Sequence, residues 1–263
     1  MDELKVPEAI RTLLQGHRLR ANTIGRSGAR VLMDGELVLK VQPSSPDAER
    51  ETALLGWLDG KLPVPRLLAV CAEGGLSYTL MSRIPGRMAC EEVFLDRPDW
   101  LLDRLASAMR MLWAVDPAGC PVLRTPAQEL ALARERVARG LVDIEDAEPE
   151  TFGPGGFRDP EALLHWLEDN APPCEPVFTH GDCCLPNIFL TESGGIGFVD
   201  LGSAGLGDRW RDIALCHRSL RHNTDGRYGL YKPGFRPDRL FDHLGFRPDE
   251  ERLRWYRLLD ELF

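Results

Sequence analysis

The 263-residue chain lacks the features that would place it outside ordinary soluble chemistry. No window approaches the ~18 consecutive apolar residues of a spanning helix. Met1-Asp2-Glu3-Leu4-Lys5 is charged and precedes no apolar run, so no secretory leader is visible. The seven cysteines are odd in number, irregularly spaced and form no Cys-x-x-Cys. They read as reduced thiols of a cytoplasmic protein rather than as a disulfide framework or a zinc site. A basic excess is also missing. The chain has 32 Lys plus Arg against 41 Asp plus Glu, a net charge of −9. That disfavours a nucleic-acid partner and favours a cationic one. There are no internal repeats and no low-complexity tract.

What is present falls into two textures. The first 84 residues are rich in short strands and turns. Asp34-Gly35 precedes an apolar strand, Glu36 to Val41, a strong hairpin signal. Ser45-Pro46-Asp47 then opens a helix, with a capping side chain, a first-turn proline and acids at the positive end. Strands are expected over 67–72 and 76–81, around Glu73-Gly74-Gly75. Beyond Ile84-Pro85-Gly86 helical periodicity dominates, over 100–115, 127–141 and 160–170. A strand-like pair, Val177 to Thr179 and Ile196 to Val199, interrupts it. The division expected is a smaller β-rich region, 1–84, and a larger α-rich region, 85–263.

The stretch Thr179-His180-Gly181-Asp182-Cys183-Cys184-Leu185-Pro186-Asn187 carries the clearest chemistry. An Asp and an Asn five apart leave one loop between apolar runs. The catalytic loop of kinases has this spacing, where a carboxylate orients an attacking hydroxyl and an amide helps to hold a metal. Asp200 then ends an apolar strand as Asp-x-Gly, the pattern of a metal-binding aspartate. Lys40 sits inside an apolar strand, and Glu51 shares a helical face with Leu54, Leu55 and Leu58. Two charges placed inward need each other. A strand Lys steadied by a helix Glu points at nucleotide phosphates. Ile24-Gly25-Arg26-Ser27-Gly28 lacks the three-glycine loop of protein kinases, and no Ala-Pro-Glu segment occurs. Ser27 and nearby N–H groups could still meet phosphate.

Lys40, Glu51, His180-Gly181-Asp182, Asn187 and Asp200 together resemble the aminoglycoside phosphotransferases, and within them the aminoglycoside 3′-phosphotransferases. Trp57 to Pro65, Asp208 to Leu215 and Tyr256 to Phe263 extend the likeness over nearly the whole length. The resemblance implies an α+β, protein-kinase-like two-lobed fold, with a small β-rich N-lobe and a larger α-helical C-lobe. It implies transfer of the ATP γ-phosphate to an aminoglycoside 3′-hydroxyl with Mg²⁺, normally two ions, and hence resistance to drugs such as kanamycin and neomycin. Asp182 would be the catalytic base or orienter, with Asn187 and Asp200 on metal. Lys40, fixed by Glu51, and Ser27 would hold phosphates. Met81, Ser82 and Ile84 would line adenine, and His180 would brace the loop.

Residues 143–150 hold five carboxylates in eight positions, suited to a polycation. The substrate set implied by the resemblance is Asp146, Glu148, Glu150, Arg218, Asp260, Glu261 and Phe263, the last through a terminal carboxylate. Val38 replaces an aromatic that packs on adenine in relatives, and Ser203 and Ser219 replace Arg and Asp. Cys183 and Cys184 read as space-fillers, Cys184 with the option of reactivity. The implied partner is a small polycation, with no nucleic acid, no membrane, and a monomer or weak dimer. A kinase of another small alcohol (macrolide, choline or homoserine) is the alternative enzyme. A non-catalytic nucleotide-binding regulator is the alternative from another class.

Overall fold

A computed structural model describes residues 6–22 and 29–263. The chain divides into two compact units, Met1–Gly86 with Phe189–Gly202, and Arg87–Ile188 with Ser203–Phe263. In chain order the elements begin with α1 (Glu8–Leu13), β1 (Arg20–Asn22), β2 (Arg30–Met33), β3 (Leu37–Pro43), α2 (Pro46–Leu58), β4 (Leu67–Glu73) and β5 (Leu76–Ser82). There follow β6 (Arg87–Met88), α3 (Glu92–Leu95), α4 (Pro98–Trp113), β7 (Leu123–Arg124), α5 (Pro126–Ala138), α6 (Pro149–Phe152), α7 (Pro160–Asp169) and β8 (Val177–Thr179). A 3₁₀ turn (Leu185–Asn187) leads to β9 (Ile188–Leu190), β10 (Ile196–Phe198), β11 (Gly205–Gly207), α8 (Arg209–His222), α9 (Arg239–Leu244) and α10 (Glu250–Asp260).

The first unit is built on a five-stranded sheet in the order β1-β2-β3-β5-β4. Every pairing in it is antiparallel. Asp34 makes the β2–β3 turn by accepting N–H bonds from Glu36 and Leu37, both at 2.8 Å. Those two bonds, with His17, hold its carboxyl down at about 2. Alternation along β3 decides what faces where. Leu39 and Val41 go into a core with Ile10, Tyr78 and Leu80. Lys40, between them, is sent to the opposite face. There α2 lies with Ala48, Glu51, Leu54, Leu55 and Leu58 buried on one stripe. Ser45 caps that helix as its sequence requires, its Oγ accepting from Ala48 N–H at 3.2 Å.

The second unit is mainly helical, with one small sheet, β7-β11-β8. The helices expected over 100–115, 127–141 and 160–170 form as α4, α5 and α7. Two buried cations, Arg211 and Arg124, share the sealed carboxylate of Glu129, at 2.5 and 3.4 Å. The strand-like segments 177–179 and 196–199 do not pair with each other. β8 is hydrogen-bonded to β11, and β10 lies beside β9. β11 went unseen because Gly-Leu-Gly has no strand signature. Its glycines serve close approach: a Cβ on Gly207 would stand 2.7 Å from the Arg124 carbonyl oxygen. No described helix is long and apolar enough to cross a membrane.

Candidate active site

In the first unit Lys40 and Glu51 meet as the two inward placements demand. Lys40 Nζ donates to both Glu51 oxygens at 2.8 Å. Their side chains are 13% and 12% exposed. Gln42 Nε2 adds a longer bond to Glu51, 3.4 Å. Asp200, also of this unit, comes within 3.4 Å of Lys40 Nζ, yet stays 49% exposed. Burial pulls the Lys40 ammonium toward neutrality, but Glu51 and Asp200 outweigh it and hold its pKa above the ordinary value. The two carboxylates therefore favour the charged form of Lys40. Asp200 has φ +58°, alone among the described non-glycine residues in the left-handed region. Strain of this kind is kept where a side chain must point in one direction.

Met81 and Ile84 are buried at the end of β5 and just after it. Ser82 is tied to Arg66 twice, donating its N–H to Arg66 O and accepting at Oγ from Arg66 N–H, both at 2.9 Å. Its hydroxyl accepts there and keeps its O–H proton to donate. Ser27 lies outside the described residues.

In the second unit the loop 180–187 is pinned from below. The buried carboxylate of Asp212, on α8, accepts from His180 N–H at 3.2 Å, Gly181 N–H at 3.0 Å and Trp113 Nε1 at 3.3 Å. Burial raises the Asp212 pKa, while His180 and these N–H groups oppose the shift. His180 Nδ1 accepts from Asp182 N–H at 3.3 Å, the bracing role expected of it. Gly181 has φ +77°, and a Cβ there would fall 1.9 Å from the Ser203 carbonyl oxygen, so only glycine fits. Ser219 Oγ accepts from Leu185 N–H at 3.0 Å and fixes the far end of the loop.

Between these anchors Asn187 Nδ2 donates to Asp182 Oδ2 at 2.8 Å and to Asp182 O at 3.0 Å. The five-residue spacing thus closes into one oxygen-rich turn, with the Asn187 amide oxygen left as acceptor. Cys183 is buried against Cys216. Burial, then the charge of Asp182, pushes the Cys184 thiol well above its ordinary value, so it is held protonated and unreactive.

Four of the expected substrate residues form a second cluster in this unit. Arg218 bonds Asp260 and, at 3.1 Å, Glu261. Glu148 N–H donates to Glu261 Oε2 at 2.7 Å. Burial lifts the Glu261 carboxyl to about 7, against the opposing pull of that N–H and Arg218. The Glu148 carboxylate is held by Arg227 at 2.6 and 2.7 Å, with His222 at 3.3 Å. Asp146 is exposed on the acidic loop and Glu150 is exposed in the first turn of α6. Arg136 bonds the Leu262 carbonyl at 2.8 Å and a Phe263 main-chain oxygen at 2.6 Å, with its guanidinium 5.7 Å from the Phe263 ring.

Residues 18–256 match the model of the phosphotransferase enzyme family. The chain belongs to that family. An aminoglycoside 3′-phosphotransferase of Enterococcus faecalis is 34% identical over 100% of both chains. Among solved structures, a type VIII aminoglycoside-3′-phosphotransferase superposes with TM-score 0.79 at 29% identity, covering 97% of this chain and 98% of the other. Another is the aminoglycoside phosphotransferase APH(3'')-Id from Streptomyces rimosus in complex with ADP and streptomycin, with TM-score 0.76, 26% identity and 97% coverage of each. These likenesses bear out the α+β, kinase-like fold. In this phosphotransferase the sequence assigned no role to Asp212, His222 and Arg227, and marked Ser219 only as a departure from relatives. Asp212 left a trace, a carboxylate next to the apolar run Ile213-Ala214-Leu215.

Proposed function

We propose that the chain is an aminoglycoside 3′-phosphotransferase, moving the γ-phosphate of ATP to the 3′-hydroxyl of polycationic drugs such as kanamycin and neomycin. The observation that carries the reading is Lys40 Nζ, 2.8 Å from both Glu51 oxygens and 3.4 Å from Asp200, in a chain with full-length likeness to enzymes of that name. Lys40 holds nucleotide phosphates, with Ser27. Main chain and apolar contacts at Met81, Ser82 and Ile84 line adenine. Asp182 orients the drug hydroxyl and accepts its proton. In phosphoryl transfer positioning and charge neutralisation do most of the work.

Carboxylate and amide oxygens suit Mg²⁺. Asp200 is exposed, and Asn187 has its nitrogen committed to Asp182, so each offers an oxygen. Each would offer that oxygen to Mg²⁺, which when bound would supply positive charge against the nucleotide phosphates. Residues 1–84 form the nucleotide region and 85–263 the catalytic and drug-binding region. The acidic residues Asp146, Glu148, Glu150, Asp260 and Glu261 meet ammonium groups, with Arg218 and Phe263 completing the surface. The enzyme works in the cytoplasm, where ATP is at hand, and confers resistance there.

The test is ADP release from ATP, coupled to a reporter, across kanamycin, neomycin, gentamicin and choline. Kanamycin and neomycin turn over. Gentamicin, which has no 3′-hydroxyl, does not. Robust turnover of gentamicin overturns the 3′ assignment, and turnover of choline alone moves the enzyme to the small-alcohol alternative.

A further inference from the structure

The two arginines of the acidic cluster differ. Arg218 is 18% exposed and lies between Asp260 and Glu261. Their charges outweigh its burial and raise its pKa further, so it is a fixed part of the surface. Arg227 is 40% exposed and comes from the loop between α8 and α9. That loop is pinned at its base by an antiparallel bridge, Asp225 to Tyr231, and by Lys232 N–H on Thr224 O at 2.8 Å. The Arg227 N–H is turned on Asp225 Oδ1 at 3.0 Å. The base is built, and the side chain reaches from it to Glu148.

We propose that Arg227 is a stand-in for substrate: its guanidinium occupies the ammonium subsite at Glu148, and a polycationic acceptor binds by displacing it. The proposal deepens the phosphotransferase reading and rests on it for Glu148. An ion pair with this much exposure is weak and easily exchanged. An arriving ammonium replaces one monovalent cation by another, so Glu148 is never left bare. A bare half-buried carboxylate is the costly state. The other groups around Glu148 are His222, the carboxylates of Glu261 and Asp260, and Arg218. None of the cations among them replaces Arg227: Arg218 is held by its own acids, and burial first, then the neighbouring Arg227, keeps the His222 pKa low.

The consequence is selectivity. An acceptor with several ammonium groups engages the other acids while it competes at Glu148. An acceptor with a single positive charge must win that exchange alone. Arg227 therefore sets a threshold of acceptor charge, and specificity here includes a repulsive element against weakly charged alcohols.

Kanamycin binding is measured by calorimetry without ATP, and KM and kcat with it, in wild type, Arg227→Gln, Glu148→Gln and the double variant. Arg227→Gln tightens kanamycin about three- to fivefold, the range an exposed ion pair supports. kcat and the KM for ATP stay the same. The gain vanishes in the Glu148→Gln background, since Arg227 acts through that carboxylate. Unchanged or weaker binding in Arg227→Gln, at an unchanged melting temperature, overturns the proposal. So does a gain that persists without the Glu148 charge. Loss of folding in Arg227→Gln is met by Arg227→Lys, which keeps the cation and wild-type affinity; tighter binding by that variant also counts against the proposal. Failure of the phosphotransferase reading is seen separately, as wild type that binds kanamycin without phosphorylating it.

Discussion

Glu51 in the first unit and Asp212 in the second are both buried carboxylates, and each holds something else in place. Glu51 holds a side chain that is itself charged, Lys40, at 2.8 Å. Asp212 holds main-chain N–H groups of His180 and Gly181, at 3.2 and 3.0 Å. The first is an ion pair with a further carboxylate, Asp200, 3.4 Å from its cation. The second is closed on every side and shapes a loop without touching what the loop binds. One carboxylate tunes an electrostatic contact, and the other fixes a geometry.

The largest effect lies in the residue that the pinned loop presents. Asp182→Ala lowers kcat roughly a thousandfold, the scale of losing a positioned base, while the melting temperature stays within a few degrees because the side chain is not part of the core. Retention of more than a tenth of wild-type kcat removes Asp182 from the chemistry.

The comparison itself is sharpened by changing each carboxylate to its amide. Asp212→Asn puts an NH₂ group opposite one of the N–H donors it now accepts from, leaving that donor unsatisfied and the loop displaced. kcat falls about ten- to a hundredfold, as small misplacements of reacting groups do, and the KM for ATP holds. Glu51→Gln does the reverse. Lys40 loses its charged partner, the KM for ATP rises about tenfold, and the KM for kanamycin holds. If both variants shift both constants equally, the distinction between tuning and shaping is wrong.

The two carboxylates also differed in how far the sequence exposed them. Glu51 and Lys40 were legible because each is a charge inside a local apolar pattern, one of period two and one helical, and two such misfits eleven residues apart point to each other. Asp182 and Asn187 were legible because their closure is local, one turn of chain. Asp212 was not, since two of its partners are main-chain groups more than thirty residues upstream, where every residue has an N–H, and the third is the Trp113 indole, farther still. β11 escaped for a related reason: Gly205-Leu206-Gly207 pairs through its backbone alone and packs through what its glycines lack. The acidic stretch 143–150 was legible as charge, but its partners Arg227 and His222 lie on α8 and the loop after it, and no periodicity joins them to Glu148. Local misfits are readable, and backbone anchoring across distant segments is not.

The smallest effect expected is a pH dependence at Glu261. Its carboxyl is lifted from 4.5 to about 7, first by burial and further by the nearby charges of Asp260 and Glu148, against the Glu148 N–H and Arg218. The folded state therefore holds a proton more tightly than the unfolded chain. Its contribution to stability is complete below pH 4.5 and is lost as pH rises toward 7. Above that the folded protein carries the charge, and the curve flattens. Glu261→Gln keeps an oxygen for the Glu148 N–H and removes the titration. The wild-type melting temperature should fall by several degrees relative to this variant between pH 5 and 8. Parallel curves for the two proteins across that interval would mean that Arg218 and the Glu148 N–H, rather than burial, decide the state of this carboxyl, and that the acidic cluster is fully charged throughout.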